Sequence, residues 1–288
     1  MKGTGISYGA VSIVNGISTN TGIAMGNMLR VITELDFEYT GETVTYSLNN
    51  NIVVDNRVID EALHWFIKKK RVKGIKADIK IYSEIPPSVG LKSSSAVAIS
   101  ILKALYSGAG DPVTDSIVAE SSFINRMAMV SITGAYDDAA VSYYGGIVAA
   151  NNRLNQLVSV QDIAEPYIII IAVPSKKNEK SDIDKEGYIR NRDQFQKAIE
   201  LFRQGKFFEA MELNGDIVGG LCNIDLKTIR NDLRNYGVNC VSISGTGPAI
   251  FLIKQQPSML EKVILYISDI SYHTIITQTR RLVYEHNR

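Results

Sequence analysis

The sequence predicts an α+β protein of mixed sheets and helices in two lobes, and three observations carry that expectation. Residues Ala77-Asp78-Ile79-Lys80-Ile81-Tyr82-Ser83 alternate apolar and polar side chains at period two, as a half-buried strand does. Beyond them Val97, Ile101, Leu102 and Leu105 recur at helical spacing until Gly108, Gly110 and Asp111-Pro112 mark a stop. After a polar stretch reaching Glu165, Tyr167 to Val173 begins afresh as a continuous apolar strand. That change of composition sets the domain boundary, giving an N-terminal domain over 1–160 and a C-terminal domain over 161–288. A chain of 288 residues has ample material for such a core.

The elements follow in order. Ala10 to Ile17 reads as a strand broken at Gly16 and the polar run Ser18 to Thr21, and further strands are expected over Leu29–Leu35 and Thr43–Leu48. Asp60 to Lys70 is expected to be a helix with Leu63, Phe66 and Ile67 on one face and Lys68 to Lys70 at its C-terminal end, where cations suit the dipole. His64 and Trp65 fall on this helix as packing residues. Asp115 to Val130 is another helix, and Tyr143 to Ala150 a turn entering a strand. In the second half, Lys176 to Glu186 is a charge-rich stretch expected to be an exposed loop. Helices are expected around Arg192–Gln204, Phe207–Leu221, Leu226–Tyr236 and Ser258–Ser268, with strands at Cys240–Ser244, Ala249–Lys254 and Thr274–Thr279.

Composition narrows the function. The 31 basic and 30 acidic side chains leave no electrostatic footprint for nucleic acid or an anionic membrane, so a small-molecule partner is expected. Cys222 and Cys240 show no C-x-x-C spacing, and His64, His273 and His286 are scattered, so neither a disulfide framework nor a zinc site is indicated. The N-terminus lacks a sustained apolar run, and Ile168–Val173 is far too short to span a bilayer. A soluble cytoplasmic protein is the expectation, with the oligomeric state left open.

Three motifs carry chemistry. Pro86-Pro87-Ser88-Val89-Gly90-Leu91-Lys92-Ser93-Ser94-Ser95-Ala96 joins the strand at 77–83 to the following helix. Unpaired N–H groups and the dipole at a helix N-terminus favour an anion, and small residues let the backbone approach one. The serine hydroxyls offer oxygens to phosphate or magnesium. The alternative is an ordinary helix start with Ser93 or Ser94 as its cap. No G-x-x-x-x-G-K-[ST] sequence occurs, and Gly3-Thr4-Gly5 lacks the third glycine of a dinucleotide fingerprint. The second motif, Ser244-Gly245-Thr246-Gly247-Pro248, lies between two strands and reads either as a tight turn or as a second wall of the same site. The third, Thr133-Gly134-Ala135-Tyr136-Asp137-Asp138, sets two carboxylates among small and aromatic residues. Either they cap the next segment, or Asp137 orients or deprotonates a substrate hydroxyl while Asp138 tunes its neighbour. Glu120, on the preceding helix, is a candidate magnesium ligand on that side.

Together these motifs resemble the GHMP kinase superfamily, whose P-x-x-x-G-L-G-S-S-A loop is matched by Pro86, Gly90, Leu91, Ser93 and Ser94, with Lys92 and Ser95 as departures. The superfamily's catalytic aspartate is matched by Asp137 and its S-G-x-G-P loop by Ser244 to Pro248. The variant Gly90-Leu91-Lys92-Ser93-Ser94-Ser95-Ala96, with Gly9 to Gly16, is similar to the archaeal-type shikimate kinases over nearly the whole chain. The resemblance implies a two-lobed fold with the active site between the lobes, and ATP-dependent phosphorylation of the shikimate 3-hydroxyl on the route to chorismate. It implies that residues 86–96 and Gly245, Thr246 and Gly247 wrap ATP, that Ser94 with Glu120 holds Mg2+, and that Asp137 is the catalytic group. The A-P-G-K motif of mevalonate and galactose kinases is absent, and Glu120 precedes Asp137 by more residues than the family's metal-binding glutamate does. Arg153, Arg190 and Arg192 are candidates for the shikimate carboxylate, which a guanidinium suits. The alternatives are a homoserine or mevalonate kinase of the same superfamily, or a non-catalytic regulatory protein on the same fold.

Overall fold

The protein, described here from a computed structural model over residues 1–41, 43–52, 55–174, 183–270 and 272–283, is built on two sheets. The first is organised by one long strand. β1 (Lys2–Val14) pairs antiparallel with β2 (Thr21–Glu38), whose 18 residues serve two further neighbours. Val31–Glu38 pairs with β5 (Lys76–Ser83), and Thr21–Met25 with β6 (Ile147–Asn151). β3 (Val44–Leu48) lies parallel on β5 and carries the two-residue β4 (Asn51–Ile52), while β7 (Gln156–Gln161) closes the other edge on β6. From Leu29 to Glu38 strand β2 alternates between core and solvent, as its period-two sequence requires.

Four helices pack on this sheet: α1 (Arg57–Lys70), α2 (Ser93–Ala109), α3 (Ser116–Met127) and α4 (Tyr136–Tyr144). α2 is buried over most of its circumference because it lies on β1 and β2 with the other three around it. Gly3 and Gly5 of β1 permit that approach, since a Cβ at either would fall 1.9 Å from a carbonyl oxygen of α2. The second sheet has the order β11-β8-β10-β9, all antiparallel, from β8 (Ile168–Pro174), β9 (Cys240–Ile243), β10 (Ile250–Lys254) and β11 (Tyr272–Gln278). Around it lie α5 (Lys185–Arg190), α6 (Arg192–Arg203), α7 (Phe207–Cys222), α8 (Leu226–Arg234) and α9 (Leu260–Asp269). The architecture is the expected two-lobed α+β fold. We propose a domain division near residue 160, because β7 ends at Gln161 and β8 begins the second sheet at Ile168.

The chain does not stay in its second lobe. After β11, Thr279 bridges Asn27 of β2, Arg280 exchanges backbone hydrogen bonds with Gly26 and Gly146, and Val283 N–H donates to the Tyr144 carbonyl. The Arg280 guanidinium is buried, 3.9 Å from the Tyr8 ring centroid, and donates to the Ser142 and Tyr143 carbonyls at the end of α4.

Four expectations change. Strand β1 starts at Lys2 rather than Ala10, because its first turns pack on α2 through glycines that carry no apolar signal. Tyr143 and Tyr144, expected in a turn, close the helix Tyr136–Tyr144, and the polar stretch before Glu165 contains β7, a half-exposed edge strand. Helix α3 ends at Met127. Most of Lys176–Glu186 lies outside the described residues, which resume at Ile183. Among the described residues no helix is long and apolar enough to cross a membrane.

Candidate active site

The two glycine loops meet backbone to backbone. A Cβ on Gly90, whose φ is +89°, would stand 2.1 Å from the Ser244 carbonyl oxygen, and Ser244 Oγ donates to the Gly90 carbonyl at 2.8 Å. Strand β1 and the residue that follows it bind the second loop: Ser12 N–H donates to Ser244 Oγ (3.2 Å), Ser12 Oγ accepts from Gly245 N–H (2.9 Å), and Asn15 Nδ2 donates to the Gly245 carbonyl (3.0 Å). Asn214 of α7 accepts from Asn15 N–H at 2.8 Å, so the second lobe grips the same turn. A cavity of about 400 Å³ opens between the lobes at this junction.

Helix α2 begins without a side-chain cap. Its N-cap is Lys92, held at φ 65°, so neither Ser93 nor Ser94 is consumed in capping and both line the cavity. Ser88, Gly90, Leu91, Lys92, Gly245, Thr246 and Gly247 line it as well. Pro86, Pro87, Val89, Ser95 and Ala96 do not. Val89, Ser95 and Ala96 point into the core, where Ser95 Oγ accepts from Asn125 Nδ2 and the Val89 carbonyl from Ala249 N–H. Of the expected contacts, these five lie outside the cavity lining, and Val89, Ser95 and Ala96 back the loop from the core.

Asp137 and Asp138 occupy the first turn of α4, whose N-cap is Ala135 in the left-handed region. Their carboxylates do not cap the helix. Asn152 Oδ1 accepts from Asp137 N–H at 2.9 Å and takes that part instead. Asp137 is 5% exposed and lines the cavity. Burial, then the neighbouring Asp138, pushes its carboxyl up to about 7, while Lys92 and Asn152 pull the other way. Lys92 Nζ lies 2.9 Å from Asp138 Oδ1. Burial works against the ammonium, and the two aspartates outweigh it, so the Lys92 pKa stands above the ordinary lysine value. Gly22 of β2 makes room for the Asp137 side chain, since a Cβ there would fall 1.9 Å from its Oδ2.

Glu120 is a correction. Its carboxylate is 6% exposed and turned to α1 and α2, where it accepts from Trp65 Nε1 (2.8 Å), Lys69 Nζ (2.7 Å), Ser116 Oγ (3.0 Å) and the Tyr106 hydroxyl. It does not line the cavity, and four donors leave it no lone pair for a metal. Burial opposes its charge and these donors outweigh that, holding its pKa below the ordinary range, while burial and then Glu120 push Tyr106 up to about 12. Trp65 packs as expected, 4.9 Å from the Phe123 ring. Arg153 and Arg192 are exposed and Arg190 pairs with Asp184 at 3.1 Å, so none of the three lines the cavity. Sequence reading missed Ser12, Asn15, Gly22 and Asn152. Their one signal is a polar or glycine residue at the end of an apolar strand.

The arrangement offers an anion cradle at a helix N-terminus beside a buried carboxylate pair that shares one ammonium. Among the described residues no group of three or more His, Cys, Asp or Glu forms a metal cage. Residues 56–146 match the family "GHMP kinases N terminal domain". The chain is 30% identical to a shikimate kinase of Pyrococcus furiosus over 286 residues, 97% of this chain and 100% of that one. It is 32% identical to one from Methanocella arvoryzae over 252 residues, 86% and 83% of the two chains. Its fold is similar to that of the Methanococcus jannaschii mevalonate kinase, with a TM-score of 0.78 over 97% of this chain and 98% of that one at 16% identity.

Proposed function

We infer the reaction from kinship joined to geometry: the chain belongs to the archaeal-type shikimate kinases of the GHMP kinase superfamily, and it transfers the terminal phosphoryl group of ATP to the shikimate 3-hydroxyl. The product is shikimate 3-phosphate, an intermediate on the route to chorismate and the aromatic amino acids. The observation that carries this reading at the site is Asp137, buried on the wall of a cavity that a helix N-terminus and two glycine loops also line.

Phosphoryl transfer needs alignment and charge neutralisation more than covalent help. The backbone N–H groups that open α2, with the Ser93 and Ser94 hydroxyls, hold the ATP phosphates, and Gly245 to Gly247 cover them. Asp137 orients the acceptor hydroxyl and takes its proton as the new P–O bond forms. An ordinary aspartate is a weak base toward an alkanol, and burial strengthens this one. Lys92, one of the residues the resemblance places around ATP, shares its charge with Asp138 and so keeps the carboxylate pair from carrying two unopposed charges. A magnesium ion carried by ATP asks the protein for only one or two oxygens. Ser94 fits that role, Glu120 does not, and the ion supplies charge neutralisation on the phosphates. The unpaired Cys222 and Cys240 suit a reducing compartment, and we take the cytoplasm as its place.

Coupled ADP release with Mg-ATP against shikimate, homoserine, mevalonate and galactose tests the assignment. Turnover with shikimate alone is expected, and turnover with another alcohol in its stead overturns the substrate. Two variants test the geometry. Gly22→Ala is expected to fold, because the atom it displaces is the end of a side chain, and to cut kcat by about a hundredfold through misplacement of Asp137. A kcat within threefold of wild type would remove Gly22 from the account. Glu120→Gln is expected to lower Tm by a few degrees, having weakened a buried hydrogen-bonded junction of α1, α2 and α3, and to leave the magnesium dependence of turnover unchanged. A rise in the magnesium concentration needed for half-maximal rate would return Glu120 to the metal.

A further inference from the structure

Tyr188 of α5 lines the cavity and is 2% exposed, yet its hydroxyl has no hydrogen-bond partner among the described residues. Tyr106 and Tyr266 differ, since their hydroxyls donate to Glu120 and Asp232. Buried hydroxyls are nearly always paired, so an orphan on a residue that lines a binding cavity calls for a partner, and a bound ligand is one that can supply it. The ring itself is fixed. It stacks on Phe195 of α6 with centroids 5.6 Å apart and planes 7° from parallel, and the Asp184 cap, accepting from Gly187 N–H at 2.8 Å, anchors the helix that carries it.

We propose that the Tyr188 hydroxyl binds the acceptor alcohol, donating a hydrogen bond to a hydroxyl on the ring or to the carboxylate of the substrate in the cleft between the lobes. The proposal rests on the kinase reading above. Once the two glycine loops and the carboxylate pair are given to the phosphates and the reacting hydroxyl, the remaining lining residues, besides Ala135 and Asn152, come from four places. These are the turn Asn15–Ile17, the loop 130–133, α5 with the two residues before it, and the end of α7. They line the part of the cavity open to the acceptor and to the nucleoside of ATP, and among the described residues the Tyr188 hydroxyl is the buried side-chain donor there without a protein partner. The adjacent Cys222, whose Sγ donates to the Thr246 carbonyl at 3.5 Å, ties this wall to the second glycine loop. Burial pushes the Tyr188 pKa up, so the phenol stays a neutral donor throughout the range in which the enzyme works.

Tyr188→Phe keeps the ring and removes only the oxygen. With Mg-ATP and shikimate as the probes, KM for shikimate is expected to rise about tenfold, the cost of one lost hydrogen bond to a polar or charged group. KM for ATP is expected to stay within about twofold and Tm to hold or rise, since the free protein loses an unpaired buried hydroxyl. A merely structural tyrosine would shift Tm and both KM values together, which overturns the proposal. Unchanged shikimate kinetics overturns it too, as does a change in KM for ATP alone, which would turn the phenol toward the nucleotide. A wild-type enzyme that uses another alcohol overturns the shikimate assignment only, and the variant is then read with that alcohol. A wild type that phosphorylates none overturns the kinase reading and this proposal with it.

Discussion

Asp137→Asn is expected to lower kcat by about a thousandfold while ATP binds as tightly as before. Asparagine matches aspartate in shape, so Asn152 and α4 keep their places, but it neither accepts a proton nor carries charge toward the acceptor hydroxyl. In the proposed mechanism ATP is held at the N-terminus of α2 and by the second glycine loop, neither of which depends on that carboxylate. Single-turnover rates with saturating ATP, beside equilibrium nucleotide binding, separate the two effects, and a variant within tenfold of wild type would take Asp137 out of the chemistry. The same carboxylate sets the acid limb of the rate profile. Since burial and Asp138 raise its pKa to about 7, kcat is expected to fall as pH drops through neutrality rather than near the ordinary carboxylate range.

Stability carries the opposite sign. A carboxyl whose folded pKa is raised favours the native state when protonated, and that contribution is complete below its unfolded value of 3.8 and lost as pH climbs through about 7. Asparagine does not titrate. The Tm of Asp137→Asn should therefore exceed that of wild type by more at pH 8 than at pH 5, and a constant difference would contradict the raised pKa.

Gly90→Ala has the second largest expected effect, and it acts on fold and nucleotide together. The residue's φ of +89° is strained for alanine, and the added carbon would lie 2.1 Å from the Ser244 carbonyl oxygen and 2.9 Å from its carbon. Both atoms are backbone, so relief requires the two glycine loops to part and the Ser244 Oγ bond to Gly90 to break. Positive-φ strain and overpacking each cost on the order of 1–3 kcal/mol, and roughly 3 kcal/mol together corresponds to a Tm lower by about 6–12 °C. KM for ATP should rise at least tenfold. An unchanged Tm and KM would show that the loops do not need this contact.

The elements that the sequence made legible are those whose pattern is complete within a short window. Residues 77–105 announce strand, loop and helix because a period of two gives way to helical spacing across a run of small residues. Helix α4 was hidden because its nine residues are buried nearly all round and show no polar face to set a period. β7 was hidden because an edge strand with both faces partly wet looks like a loop. At the site, the two loops and Asp137 were legible as motifs. What those motifs touch was not. Glu120 sits on α3 at a position from which it could have turned to the cleft, and only the arrival of Trp65 and Lys69 from α1 turns it the other way. Lys92 finds Asp138 through the packing of α2 on α4, which no local pattern encodes.

The return of residues 279–283 to the first lobe bears on how the enzyme comes into being. A nascent chain emerges N-terminal end first, and the sheet built from residues 2–161 is available early. Its carboxylate-bearing helix, however, ends against Arg280 and Val283, which are synthesised more than a hundred residues later. The half-made protein on the ribosome thus possesses the first glycine loop without the second, and without the clasp that steadies the helix of Asp137. Competence arrives late in translation, when that clasp has been made and has found its seat beside Tyr8.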